Sequence, residues 1–288
     1  MIPQAFEYHR PSSVADALAL LARHGDEARV IAGGQSLTPM MKLRLAAPAH
    51  LVDLQAIDGL RGLGVEAGEI RIGATARQAE LIADARIVEA CPLLRDAALQ
   101  IADPQVRAMG TLGGNVANGD PGNDMPAVMQ CLDARFTLQG PNGTREIPAR
   151  DYYQSAYVTA ATDEEILTEI RLAVPPAGHG WAYEKQKRKI GDYATAAAAV
   201  LLTVEGGVCK TASIALTNVG DTPLYAADAV AALQGQPLED QHLLAAARAA
   251  VAITEPAEDG RGPAAFKRHV ALVMVLRALE TAAARAAG

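Results

Sequence analysis

Two glycine pairs, Gly33-Gly34 and Gly113-Gly114, constrain this chain more than any other feature, because both occur in one chain and each lies beside a helix start. Paired glycines free the backbone for positive φ and leave no side chain between main-chain N–H groups and an approaching ligand. The first pair lies in Ala32-Gly33-Gly34-Gln35-Ser36, after the apolar run 28–31 and before a helical pattern over 37–45. Strand, glycine turn and helix in that order suit a phosphate. The second pair lies in Thr111-Leu112-Gly113-Gly114-Asn115, which reads as a concave nest of N–H donors flanked by a hydroxyl and an amide. Asp124 follows as the expected N-cap of a helix over 124–132, or as an acceptor for sugar hydroxyls. Either pair alone can equally make an ordinary tight turn. Neither matches G-x-G-x-x-G or the phosphate-loop signature. Together they suit a pyrophosphate, which needs donors along its length.

The rest of the chain is patterned for an α+β protein of two domains, which 288 residues can support. A serine-capped helix is expected over 11–25, strands over 6–9, 28–31, 51–54 and 69–73, a helix capped by Thr75 running to residue 83, and a helix over 86–101 broken at Cys91-Pro92. A hairpin follows over 134–147, then an irregular stretch over 151–162 and a strand over 165–174. The segment Pro175-Pro176-Ala177-Gly178-His179-Gly180 is the expected boundary, giving domains of 1–177 and 178–288. Beyond it the pattern gives three strands in a meander over 181–217, then helices over 225–233, 238–251 and 263–286.

Composition narrows the function. Net charge is −7 with scattered basic residues, which leaves no nucleic-acid footprint. No apolar run reaches membrane-spanning length and the N-terminus lacks a secretory pattern, so a cytoplasmic protein is expected. Cys91, Cys131 and Cys209 are isolated, and no two of the six histidines have metal-ligand spacing, so neither disulfide, metal nor iron–sulfur centre is expected in the chain. No nucleophile–base motif occurs and no catalytic residue is assigned. Any reaction therefore belongs to a bound, phosphate-bearing cofactor.

The segments IAGGQSLTPMMKLRLA (31–46), IADPQVRAMGTLGGNVANGDPGNDMPAVMQC (101–131), AYEKQKRKIGDYATAAAAV (182–200) and TNVGDTPL (217–224) carry a resemblance over essentially the whole length. The chain resembles the flavoprotein, or medium, subunits of molybdenum hydroxylases, and among them the aerobic carbon monoxide dehydrogenase subgroup. That resemblance implies an FAD-binding domain of two α+β subdomains, of the vanillyl-alcohol oxidase type, and a C-terminal domain of a small three-stranded sheet with helices. It assigns the FAD pyrophosphate to Ala32, Gly33, Gly34, Gln35 and Ser36 and to Thr111, Leu112, Gly113, Gly114 and Asn115, and the ribityl or ribose region to Asp124. Ile101 falls near the flavin, Lys187 at its polar edge and Tyr193 against its ring. From the residues alone, Lys187 is equally a solvated member of a basic run and Tyr193 equally a core aromatic. Many relatives have histidine at the place of Gln35, whose amide retains hydrogen-bonding capacity. The iron–sulfur insertion of the 4-hydroxybenzoyl-CoA reductase subgroup is absent.

The resemblance further implies an electron-transfer subunit of an oxidoreductase that converts CO and water to CO2. Its partners would be a large subunit with the molybdenum cofactor and a small subunit with two [2Fe-2S] clusters, assembled as a dimer of heterotrimers. A quinone or cytochrome would be the acceptor, bringing the complex to the inner face of the membrane. Medium subunits of xanthine-, nicotinate- or aldehyde-type hydroxylases share this pattern. From the residues alone, a self-contained flavin oxidase and a nucleotide-binding regulatory module remain open.

Overall fold

The computed structural model describes residues 2–287 and shows the expected α+β architecture, built on three main sheets. The first is parallel and three-stranded, in the order Glu7–His9, His50–Asp53, Ala28–Ile31. Helix Val14–His24 crosses over this sheet. Ser13 caps it by accepting from the Asp16 N–H at 3.1 Å, and Gly25, at φ 54°, ends it. Its apolar stripe buries Ala17 and Leu21 against Ala28, Val52 and Leu54.

The second sheet is antiparallel and five-stranded, ordered Leu63–Glu66, Glu69–Gly73, Ile166–Ala173, Arg135–Gly140, Gly143–Pro148. Its central strand arrives last in sequence and joins two hairpins formed earlier, so this unit closes only when residues far apart in the chain meet. Ile70 and Ile72 point inward on either side of outward Arg71, the alternation of a strand with one wet face. The helices Pro92–Gln100 and Asp124–Cys131 cover its core.

The third sheet is an antiparallel meander of Gly180–Gln186, Ala196–Glu205 and Val208–Thr217, extended by a fourth strand, Leu224–Tyr225. The expected count of three strands is corrected by that two-residue edge, too short to leave a period in the sequence. Ala196, Ala198, Val200 and Leu202 face the terminal helices, while Ala197 and Ala199 join the core of the second unit. Both faces are therefore buried, and small side chains allow a close approach. A Cβ on Gly180 would lie 1.8 Å from the Ala282 carbonyl oxygen of the long helix Ala264–Ala287. Among the described residues no helix is long and apolar enough to cross a membrane.

Three further expectations are corrected. Thr75 does not cap a helix; its hydroxyl donates to the Leu60 carbonyl at 2.9 Å, and helix Gln78–Ala83 starts after Arg77. The stretch 151–162 contains the small hairpin Tyr153–Ser155 with Val158–Thr159. Residues around the second glycine pair form a short helix, Leu112–Ala117, preceded by another, Pro104–Met109.

Candidate functional site

The first glycine turn leaves strand Ala28–Ile31 and enters helix Leu37–Lys42. Gly34 sits at φ 71°, a region that L side chains resist. Gly33 is required for a different reason: a Cβ there would lie 2.2 Å from the Met109 carbonyl oxygen and 2.8 Å from the Gly110 Cα. The first glycine segment thus meets, backbone to backbone, the two residues that lead into the second. The helix begins with Thr38 N–H donating to the Gly34 carbonyl at 3.0 Å and Met40 N–H to the Ser36 carbonyl at 3.2 Å. Among the described residues, the N–H groups of Gly33, Gly34, Gln35 and Ser36 have no acceptor. Four successive open donors are the chemistry a phosphate group requires. The Gln35 amide donates to the Gly33 carbonyl at 2.9 Å, bracing the turn, and Ala32, partly buried, leads into it.

The second segment behaves otherwise. Thr111 caps helix Leu112–Ala117 by accepting from the Gly114 N–H at 3.0 Å. Leu112 N–H donates to the Ala76 carbonyl at 2.8 Å, Gly113 N–H to Ala74 at 3.0 Å and Asn115 N–H to Thr111 at 3.1 Å. All four N–H groups of residues 112–115 are consumed within the chain, so the expected nest is corrected to a helix start. Gly113 is there for close packing, since a Cβ would lie 2.4 Å from the Ala74 carbonyl oxygen. Gly114 is exposed and is not among the glycines with positive φ. What this segment leaves for a ligand is the hydroxyl hydrogen of Thr111 and the amide NH2 of Asn115.

Asn115 also ties the segment to the next helix. Its Oδ1 accepts from the Met125 N–H at 3.2 Å, and its carbonyl accepts from Asn123 Nδ2 at 2.8 Å. The N-cap of helix Asp124–Cys131 is Asn123, which corrects the expectation for Asp124. Asp124 is 4% exposed and both its oxygens are engaged. The Tyr183 hydroxyl donates to one at 2.5 Å, and Lys185 Nζ to the other at 2.9 Å. Burial pushes the Asp124 carboxyl upward, and the Lys185 ammonium and the Tyr183 hydroxyl pull it back.

Tyr183, Lys185 and Lys187 alternate along one direction of the sheet, and Lys187 continues the line past the strand's end. Lys187 Nζ donates to Gln100 Oε1 at 2.8 Å, and Lys185 Nζ to the Gln100 carbonyl at 3.2 Å. Burial, then the neighbouring Lys185 charge, lowers Lys187 from the usual lysine range. Ile101 follows Gln100 and is 7% exposed; its carbonyl accepts from Arg107 Nη1 at 2.7 Å. Tyr193 is 41% exposed and lies over Gly122, where a Cβ would meet its ring at 2.9 Å. Burial and the Asp120 carboxylate raise its hydroxyl above the usual tyrosine range.

The structure therefore sets the first glycine segment against the residues that lead into the second, joins the second to the residues on either side of Asp124 through Asn115, and joins Lys187 to Ile101 through Gln100. Tyr193 stands at the far side of the 119–123 turn. Sequence reasoning missed Gln100, Tyr183 and Lys185; the period-2 spacing of 183, 185 and 187 in an expected strand was the available signal. It also missed a meeting of His9, His24 and His50, whose ring nitrogens lie within 4.8 Å of one another.

The family described as FAD binding domain in molybdopterin dehydrogenase matches residues 4–175, and the CO dehydrogenase flavoprotein C-terminal domain matches residues 181–282. The carbon monoxide dehydrogenase medium chain of Afipia carboxidovorans is 58% identical over 99% of this chain and 99% of its own length. That of Hydrogenophaga pseudoflava is 47% identical over 100% of both. The structure of reconstituted CO dehydrogenase from Oligotropha carboxidovorans contains a chain that superposes with a TM-score of 0.98 at 57% identity, covering 99% of this chain and 100% of that one.

Proposed function

The chain belongs to the family of FAD-binding medium subunits of molybdenum hydroxylases, and from that premise we infer that it is the flavin-carrying medium subunit of a carbon monoxide dehydrogenase. The observation that carries the assignment of the site is the backbone contact of Gly33 with Met109 and Gly110, beside four open N–H donors. Gly33, Gly34, Gln35 and Ser36 would grip the pyrophosphate with their main-chain donors, with Ala32 setting the entry of the turn. From the second segment Thr111 and Asn115 would add a hydroxyl and an amide, while Leu112 and Gly113 supply a close-packed backing and Gly114 gives its N–H to the Thr111 cap. Ile101 would present an apolar surface to the flavin, Lys187 a positive charge to its polar edge and Tyr193 an aromatic face. Asp124 would act at one remove, by holding Lys185 and Tyr183 against the helix whose Met125 N–H donates to Asn115.

Bound FAD supplies the redox chemistry, accepting electrons singly and passing them to an outside oxidant. This chain's residues bind it, orient it and set the charge around it; substrate chemistry belongs to a partner. In this reading the chain assembles with a small iron–sulfur subunit, whose [2Fe-2S] clusters deliver electrons to the flavin, and a large subunit with the molybdenum cofactor, in a dimer of heterotrimers. The acceptor would be a quinone or cytochrome, with the complex in the cytoplasm and reaching the inner face of the membrane through that acceptor. The domains in this reading are 1–177, which carries both glycine segments, and 178–288, whose meander brings Lys187 and Tyr193 to the flavin.

The test is reduction under CO of the purified chain loaded with FAD, alone and with both partner subunits. Bleaching of the yellow absorbance only in the full assembly is expected. Reduction of the isolated chain by an organic donor, or failure of the chain to take up FAD even in the assembly, would contradict the reading.

A further inference from the structure

We propose that His9, His24 and His50, with the carboxylate of Glu7, form a binding site for one divalent transition-metal ion of the zinc class. The site rests on residues of neither glycine segment and is independent of the flavin assignment.

The fold brings the ligands together from three places. Glu7 and His9 are the first and last residues of an edge strand, two apart and therefore on the same face. His50 opens the neighbouring parallel strand and is in register with Glu7, which adds its ring to that face. His24 is the last residue of helix Val14–His24, laid over the strand ends.

The distances suit a small cation. Around a tetrahedral zinc ion with bonds of about 2.0 to 2.1 Å, ligand atoms stand about 3.3 Å apart. His9 Nε2 and His50 Nδ1 are already 3.1 Å apart. A Glu7 carboxylate oxygen lies 3.5 Å from that His50 nitrogen and 3.9 Å from the His9 nitrogen. The third ring is nearby: His24 stacks on His50 with centroids 3.7 Å apart. All three histidines offer a nitrogen within 4.8 Å of the others.

A second observation points to a ligand. His24 Nε2 is buried and has no hydrogen-bond partner among the described residues. An orphaned buried nitrogen is a cost that the fold does not offset with a protein group. A bound ion would satisfy it. Rotation of the His24 ring out of its stack would bring in the third nitrogen, and the proton shared by His9 and His50 would move to the far nitrogen of its own ring. Three neutral imidazoles and one carboxylate are a borderline-soft donor set, which favours Zn2+, Co2+, Ni2+ and Cu2+ over Mg2+ or Ca2+. Glu7, 73% exposed at its side chain, leaves the entry path open to solvent. The ion would fasten the edge strand, its neighbour and the end of the helix to one point.

The experiment uses the full untagged chain, stripped with a chelator and titrated with Zn2+ by calorimetry and with Co2+ by visible absorption. One ion per chain is expected, with the intense visible bands of tetrahedral Co2+ and a thermal midpoint raised by a few degrees with Zn2+. The variants His24→Ala and His50→Gln should each weaken Zn2+ binding at least tenfold and lose the cobalt bands, while FAD uptake stays at the level of the parent chain and certifies folding. Zn2+ binding that is equal in the parent chain and both variants, or loose binding without the cobalt bands, would overturn the proposal.

Discussion

The two glycine pairs are each followed by a side-chain amide, Gln35 or Asn115, and have opposite backbone accounts. In the first, the N–H groups of four successive residues are open; in the second, the corresponding groups are spent on Ala74, Ala76 and Thr111. A Gly-Gly pair specifies that a backbone can come close to something, and the surrounding fold decides whether that something is a ligand or another strand. For Gly33 it is both, since its own Cα hydrogen faces the Met109 carbonyl while its N–H stays open. For Gly113 it is the Ala74 backbone alone. The first segment is thus suited to grip an anion, and the second to hold the first in place.

The largest effect should come from removing the support behind the second segment. Lys185→Met leaves the Asp124 carboxylate buried without its cation, and loss of one partner of a buried pair costs about 3 to 5 kcal/mol. A urea midpoint should register it, with flavin affinity falling as a consequence of lost stability. A loss under about 1 kcal/mol would show that the second segment stands without this pair. Gly33→Ala should follow, because its Cβ meets a backbone carbonyl that cannot swing away. A destabilisation of about 1 to 3 kcal/mol is expected, together with at least tenfold weaker FAD binding by fluorescence titration.

Gly34→Ala should cost about 1 to 2 kcal/mol through its positive φ, with FAD affinity lowered by distortion of the same turn. Gly114→Ala sharpens the contrast from the other side. Its Cβ would meet only the Thr111 hydroxyl, at 2.8 Å. The helix propensity gained over glycine, about 1 kcal/mol, roughly offsets a disturbed cap of about the same size. Stability should stay within about 1 kcal/mol of the parent chain, and FAD affinity should fall less than for Gly33→Ala; the reverse order would undo the division of labour.

The smallest effect serves as a control at an ion pair that bonds to neither glycine segment. Arg145 holds the Glu165 carboxyl at about 2, below its ordinary 4.5, with a further hydrogen bond from the Thr162 N–H. A depressed carboxyl contributes stability that is present above the unfolded value near 4.5 and lost as pH falls through about 2. Arg145 is 45% exposed, so solvent screening reduces this to about 1 kcal/mol or less. Glu165→Gln should remove that part of the acid limb in a denaturation series and leave FAD affinity at neutral pH unchanged.

Much of the scaffold was legible locally. Strands Ala28–Ile31, Glu69–Gly73 and Val208–Thr217 fall where alternation and turn residues put them, as does the long terminal helix within a residue or two of its expected ends. The family itself was legible from the long motifs. What escaped depends on distant partners. Leu112–Ala117 contains two glycines and would not be helical by propensity; Ala74 and Ala76 hold its first turn in place. Asp124 has the sequence position of a cap, yet Tyr183 and Lys185, some sixty residues away, claim its oxygens. The histidines are separated by whole elements, and only the parallel register of Glu7 with His50 explains their meeting.

The most direct measurement is residue-resolved amide hydrogen exchange on the chain with and without FAD. The N–H groups of Gly33, Gly34, Gln35 and Ser36 should exchange rapidly without FAD and become protected when it binds, while those of Gly113, Gly114 and Asn115 should be protected in both states. Unchanged exchange at residues 33–36 on saturation with FAD, with new protection confined to residues 113–115, would contradict the account.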